Sequence, residues 1–233
     1  MNNIFGSQTL EEVISIIQSE FPFAIWETFY VTVLSTVFAV IIGLPVAVLL
    51  VIGDENGIKP LPKPVIHAIN VIINLLRSIP FLILMIMVFP LSRLIVGTTV
   101  GTKATIVPLV VAAFPFVARL VESSLREVDQ GMIEAAQSMG STPFQIVWKV
   151  LLPESLPSII SNITIALTTV LSYSAMSGII GGGGLGKIAI NYGYYRYKYG
   201  TMVAAVILLV VLVQVFQSIG TYLAIKCDKR LRK

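Results

Sequence analysis

Gly181 to Lys187 reads GGGGLGK and fills the first seven positions of the phosphate-cradling pattern G-x-x-x-x-G-K-[ST], in which backbone N–H groups and a lysine hold the phosphates of a nucleotide. The eighth position needs a hydroxyl to ligate magnesium and holds Ile188 instead. The run also follows an apolar stretch where no strand precedes it, so it predicts no nucleotide site and no ATP hydrolysis by this chain. A membrane-embedded protease would need a serine with a histidine, paired aspartates or an H-E-x-x-H motif within its apolar segments. The single histidine, His67, belongs to no such constellation. Cys227 is the only cysteine, which excludes an intrachain disulfide. These residues imply no catalytic group, no metal and no cofactor. The residues that remain to be explained are Arg77, the glycines at 181–184, and a polar loop around Glu134.

The elements that must position these residues are set by composition. The chain has 233 residues, of which 56% are hydrophobic and 12% charged, with a mean hydropathy of +0.90. That places it outside the range of soluble domains. Thr28 to Gly53, Ser155 to Gly186 and Tyr199 to Ile225 each contain no charged residue. Each run exceeds the roughly 20 residues that a helix needs to cross a bilayer. Lipid offers no partner to backbone N–H and C=O groups, so these segments must be helices. Two less uniform spans lie between them. The prediction is an all-α integral membrane protein of one transmembrane domain, 1–233. Its five transmembrane helices fall at about 25–53, 65–92, 101–121, 155–178 and 200–225, with a polar loop at about 122–154.

Five spans put the termini on opposite sides, and the basic residues decide which. The first 24 residues hold no Lys or Arg, whereas the tail holds Lys226, Lys229, Arg230, Arg232 and Lys233. With the N-terminus outside, Lys59, Lys63, Arg77, Arg119, Arg126 and Lys149 join the tail in the cytoplasm. Arg93, Lys103, Lys187, Arg196 and Lys198 fall outside, a division of eleven against five. Orientation thus accounts for the net charge of +4 without nucleic-acid binding. The N-terminal arm carries Glu11, Glu12 and Glu20 and lacks the basic region of a cleavable signal. Thr9 with Glu12 forms a capping box, and Leu10, Val13, Ile14 and Ile17 line one face of a short outer-surface helix, which is read either as lying at the lipid interface or as a simple lead-in to span 1.

The loop between spans 3 and 4 alternates polar and apolar residues and is built to meet a partner. Asp129 caps a helix from Gln130 to Met139, which Gly140 ends in the left-handed conformation. Thr142 and Pro143 begin a second short helix, so the loop makes a compact knob. Met132, Ile133, Ala136 and Met139 give the first helix an apolar stripe. Helices that rest on anionic lipid are rich in Lys and Arg, and this one has none between Glu127 and Trp148.

Glu134, Ala135, Ala136, then Gly140, then Leu152 and Pro153 resemble the EAA loop of bacterial ABC importer permeases. The resemblance implies that Glu134, Ala135, Ala136 and Gly140 form a coupling helix docking into a cleft on a separate ATPase subunit, with Leu152 and Pro153 completing the ATPase-coupling motif. It also implies the type I permease fold. One coupling loop per chain then implies a homodimer on two copies of the ATPase. LLRSIPF (Leu75–Phe81), RLIVGTTVGTKATIVPL (Arg93–Leu109), ARLVESSLREV (Ala118–Val128) and SYSAMSGIIGGGGLGKIAINYGYYRY (Ser172–Tyr197) are similar to the methionine branch of that family. The implied function is import of methionine, L or D, across the cytoplasmic membrane of a bacterium, with solute delivered by an extracellular or periplasmic binding lipoprotein. A permease for another amino acid or small organic solute is the alternative within the family.

For a translocation path, Ser161, Thr164, Thr168 and Ser172 recur at helical spacing on span 4. The same hydroxyls equally suit bonds to their own helix or to a neighbour. Tyr173, Ser174 and Met176 stand near the outer end as candidate solute contacts. Gly181 and Gly184 are read either as a gate or hinge, or as a plain turn. Arg77 marks either a functional site within an apolar region or a side chain snorkelling to the inner surface. Pro80 should kink span 2 or restart its helix.

Overall fold

A computed structural model describes residues 10–228. The apolar runs fold as helices, and among the described residues there is no strand. In chain order the helices are α1 (Leu10–Ile52), α2 (Lys63–Ser78), α3 (Phe81–Val96), α4 (Thr102–Arg126), α5 (Gln130–Ser138), α6 (Pro143–Ile146), α7 (Leu152–Ser177), α8 (Gly184–Ile188) and α9 (Tyr199–Cys227). Four continuous helical segments are long and apolar enough to cross a membrane: α1, α4, α9 and the run 143–180 that contains α7. The count reaches five if α2 and α3 together make one bent span.

Of the two outcomes expected of Pro80 within the 65–92 span, a kink or a restarted helix, the structure shows a restart, with α2 and α3 bent by 112°. Proline at 80 has no N–H to donate and its ring disfavours helical backbone at the residue before it. Ile79 is accordingly extended at φ −80°, ψ 127°, and Pro80 itself caps α3 at φ −56°, ψ 136°. The Pro80 carbonyl accepts from the amides of Ile83 and Leu84, both at 3.0 Å, and so restarts the helix. Arg77 ends up exposed in the last turn of α2.

Other boundaries move as well. Of the two readings of the N-terminal arm, a short surface helix or a lead-in to span 1, the structure shows the lead-in: the arm is the start of α1, which runs 43 residues without a break. At 1.5 Å per residue that is roughly 65 Å, about twice the hydrocarbon thickness. Phe21 and Ala24 pack against Leu185, Ile188, Tyr192 and Ala205 with Ile16 and Ile17 alongside, which holds the arm helical. Thr9 and the basic tail beyond Asp228 lie outside the described residues. The third span continues to Arg126 rather than ending at 121, so Arg119 and Arg126 are helical and not in a loop.

The chain divides into two compact units, each drawn from three separated segments. Among the described residues, the first holds those up to 35 together with 80–111 and 167–216; the second holds 36–79, 112–166 and those from 217 onward. In lipid, helices associate through close packing and small residues rather than through the hydrophobic effect. In the second unit Gly43 of α1 faces α4 so closely that a Cβ would lie 2.9 Å from the Phe114 carbonyl and 3.1 Å from the Ala118 amide. Gly220 of α9 likewise receives the Thr164 side chain of α7. Along α9, Val206, Ile207, Val210, Val211 and Val215 are 46–57% exposed. Such a stripe would be a liability in water and is suited to acyl chains.

Candidate functional site

Two places gather the predicted site residues, one in each unit. In the second unit, α5 is built as its sequence predicts. The Asp129 carboxylate accepts from the Gly131 amide at 2.7 Å and caps the helix. At the other end the Met139 amide donates to the Ala135 carbonyl at 3.1 Å, and the Ser141 amide to the Ala136 carbonyl at 3.1 Å. Closing the helix in this way requires a left-handed residue between them, and Gly140 supplies it at φ 77°. A Cβ at Gly140 would meet nothing within 4 Å, so its backbone conformation and not its space calls for glycine.

The expected apolar stripe of α5 is split. Ile133 and Ala136 are buried, whereas Met132 and Met139 face outward. The second helix of the knob is not a separate unit either. It begins at Thr142, whose hydroxyl and Gln145 form a reciprocal capping box, and then runs on through a wide π turn at Val147–Leu151 into α7. Proline at 153 would clash with the carbonyl four residues back in a regular helix, and a π turn at that point relieves the clash. Leu152 is half-buried and Pro153 exposed. Met139, Phe144 and Trp148 are 79%, 71% and 58% exposed, with the two rings 6.1 Å apart. Glu134 is exposed and shares a pocket with Asp54, Arg126, Gln130 and Gln137. The chemistry on offer is recognition: an apolar patch beside carboxylate and amide groups.

The Glu122 carboxylate lies near the end of α4 with its side chain 11% exposed. It accepts from Arg119 at 2.7 Å and from Arg126 at 3.0 Å and 3.1 Å. Arg126 also donates to Asp54 at 2.9 Å, and Arg119 to Asn70 at 2.6 Å and Asn74 at 3.2 Å. The hydrogen bond from Arg126, helped by the Glu55 amide, holds the Asp54 carboxyl below the usual carboxylate range. Sequence reasoning missed Glu122, although its i,i+3 and i,i+4 spacing to the two arginines is legible once 119–126 is taken as helical.

In the first unit the glycine turn is tightly held. The Gly182 amide donates to the Ser177 carbonyl at 2.9 Å, and the Gly101 amide to the Gly181 carbonyl at 2.9 Å. Glu27, another residue that sequence reasoning missed, accepts from the Gly184 amide at 2.8 Å and from the Thr102 hydroxyl. The Leu185 amide donates to the Thr28 hydroxyl at 2.9 Å. Gly184 is left-handed at φ 76°, while a Cβ on Gly186 would collide with the backbone of Ala175. Close approach, more than slack, explains why glycines stand here. An open cleft of 640 Å³ adjoins the turn, with Ser19, Glu20, Glu27, Lys187 and Asn191 among its lining residues. The Tyr192 hydroxyl donates to Glu20 at 2.5 Å, and this bond to an anion raises the phenol above its usual range.

The proposed path residues do not share one face. Ser172 is exposed and donates to the Thr168 carbonyl at 3.2 Å. Ser174 is buried and donates to the Leu171 carbonyl at 2.9 Å. The Tyr173 ring stacks on Phe81 at 4.4 Å, and Met176 is 45% exposed. Thr164 is buried and donates to the Ile160 carbonyl at 2.8 Å, so the hydroxyl stripe divides along α7. Among the described residues, no group of three or more His, Cys, Asp and Glu side chains is arranged to hold a metal.

Residues 60–229 match the family described as binding-protein-dependent transport system inner membrane component. A protein of Vibrio cholerae described as the probable D-methionine transport system permease protein MetI is 49% identical over 207 residues, covering 89% of this chain and 92% of that one. The D-methionine transport system permease protein MetI of Escherichia coli is 49% identical over 154 residues, 66% of this chain and 70% of that one. A chain from a solved structure of the MetNI methionine ABC transporter in inward-facing conformations superposes with a TM-score of 0.88 at 41% identity, over 95% of this chain and all of that one. A chain of an amino acid ABC transporter shares the fold at a TM-score of 0.75 and 20% identity.

Proposed function

Because this chain belongs to the family of binding-protein-dependent transport system inner membrane components, we propose that it is the permease subunit of an ATP-driven importer for methionine, L or D. It works as a homodimer on two copies of a separate ATPase and receives solute from an extracellular or periplasmic binding lipoprotein. The N-terminus lies outside and the C-terminus in the cytoplasm. The likeness to a methionine transporter's chain over 95% of the length is the observation that carries this reading.

Glu134, Ala135, Ala136 and Gly140, rooted by Leu152 and Pro153, form the coupling element. Ile133 and Ala136 fasten α5 to its own unit, which leaves Met139, Phe144 and Trp148 free to fill an apolar cleft on the ATPase. Exposed aromatic and methionine side chains of this kind serve as anchors at interfaces. Nucleotide binding draws the two ATPases together, the anchored loops follow, and the membrane helices switch from inward-open to outward-open. Ser172, Tyr173, Ser174 and Met176 contribute to the path or gate, and Gly181 and Gly184 shape its outer end.

Uptake of labelled methionine by proteoliposomes containing this chain, its ATPase and its binding protein tests the solute. Uptake that requires ATP and is competed by unlabelled methionine is expected. ATP-dependent uptake of another amino acid in place of methionine would leave the importer and overturn the solute.

A further inference from the structure

We infer that Glu122 is a positioning residue that makes the coupling loop and the helices behind it move as one body. The inference rests on the importer reading. It is carried by the way one carboxylate, 11% exposed, gathers three elements of the second unit. Arg126, which Glu122 holds at 3.0 Å, reaches Asp54 in the loop after α1. Arg119, which it holds at 2.7 Å, reaches Asn70 and Asn74 on α2. Both arginines are on α4, and α4 ends at Arg126, four residues before α5 begins. Any displacement of α5 therefore enters α4 at the residue that is tied to Asp54 and Glu122.

Charge makes this hub different from ordinary packing. Two guanidinium groups flank one carboxylate, so neutralising Glu122 leaves two cations close together with their common anion gone. The Asp54 limb and the α2 limb then lose their shared fixed point, while the exposed Met139, Phe144 and Trp148 make no contact with Glu122 that would be lost. The ATPase would still dock and turn over, but its stroke would be absorbed where α4 gives way. A residue that served folding alone would instead lower the amount of assembled complex and leave each assembled complex as efficient as before.

The test is the ratio of methionine taken up to ATP hydrolysed, in proteoliposomes of the whole complex, normalised to assembled complex. Glu122→Gln is expected to lower the ratio by about fivefold or more, the lower end of typical couplings between sites, with hydrolysis retained. Glu122→Asp keeps the carboxylate and should recover much of the ratio. Asp54→Asn removes only the exposed limb, should assemble normally, and should lower the ratio by a smaller factor; it decides the matter if Glu122→Gln does not assemble. An unchanged ratio in the assembled variants, or a Glu122→Asp variant as poor as Glu122→Gln, overturns the inference alone. A wild-type complex without ATP-dependent uptake overturns the importer reading, and this inference with it.

Discussion

At the scale of single residues, the loop around Glu134 and the glycine turn owe their shape to a few polar groups. Asp54 offers a direct check on one of them. Its carboxyl is held below the usual range chiefly by the hydrogen bond from Arg126. A depressed carboxylate stabilises the fold fully above the ordinary aspartate value of about 3.9 and loses that contribution as the pH falls through the lower folded value. The difference in thermal stability between wild type and Asp54→Asn is thus expected to hold constant from pH 7 to pH 5 and to shrink only below about pH 4. A difference that vanishes already near pH 6 would show that the Arg126 tie does not hold Asp54 in its charged form. Capping by Asp129 and the left-handed Gly140 were legible in the sequence because each is a local rule of the backbone. Glu27 and Glu122 were not, since their partners, Thr102 and Gly184 for one and Arg119 and Arg126 for the other, are recognised only once the helices are placed.

At the scale of elements, long uncharged runs identified the second half of α1, α7 and α9 well, because lipid leaves a backbone no alternative to the helix. The break between α2 and α3 was half legible: Pro80 signalled a disturbance, but its depth depends on Ile79 adopting an extended conformation. The continuous α1 and the π turn leading into α7 were not legible, because packing of Phe21 in the first case and accommodation of Pro153 in the second override local punctuation. Contact between α1 and α4 is set by a missing side chain. Gly43→Leu must force the α4 backbone away at Phe114 and Ala118, and overpacking of this kind costs typically 1–3 kcal/mol. Ile41→Ala, at a side chain 60% exposed, is expected to change stability by less than about 0.5 kcal/mol. Thermal unfolding of the detergent-solubilised chain measures both; equal effects would contradict a close α1–α4 seam.

At the scale of the whole molecule, the all-helical class and the type I permease fold expected from the sequence are those observed. The apolar excess that betrays the class is also what the surface shows, with exposed valines and isoleucines along α9 where a soluble protein would be polar. Composition could not reveal that the chain gathers into two compact units from interleaved segments, because that depends on which distant stretches pack together. Nor could it place Ser172 outward and Ser174 inward on one helix turn. In the proposed function, the loop at about 122–154 transmits work from a separate ATPase to these helices. The most direct measurement is ATP-driven methionine uptake by proteoliposomes of the assembled complex carrying Glu134→Arg and Gly140→Pro together. The account predicts that the chain folds and dimerises as the wild type does while uptake is abolished. Uptake at the wild-type rate in that variant would contradict it.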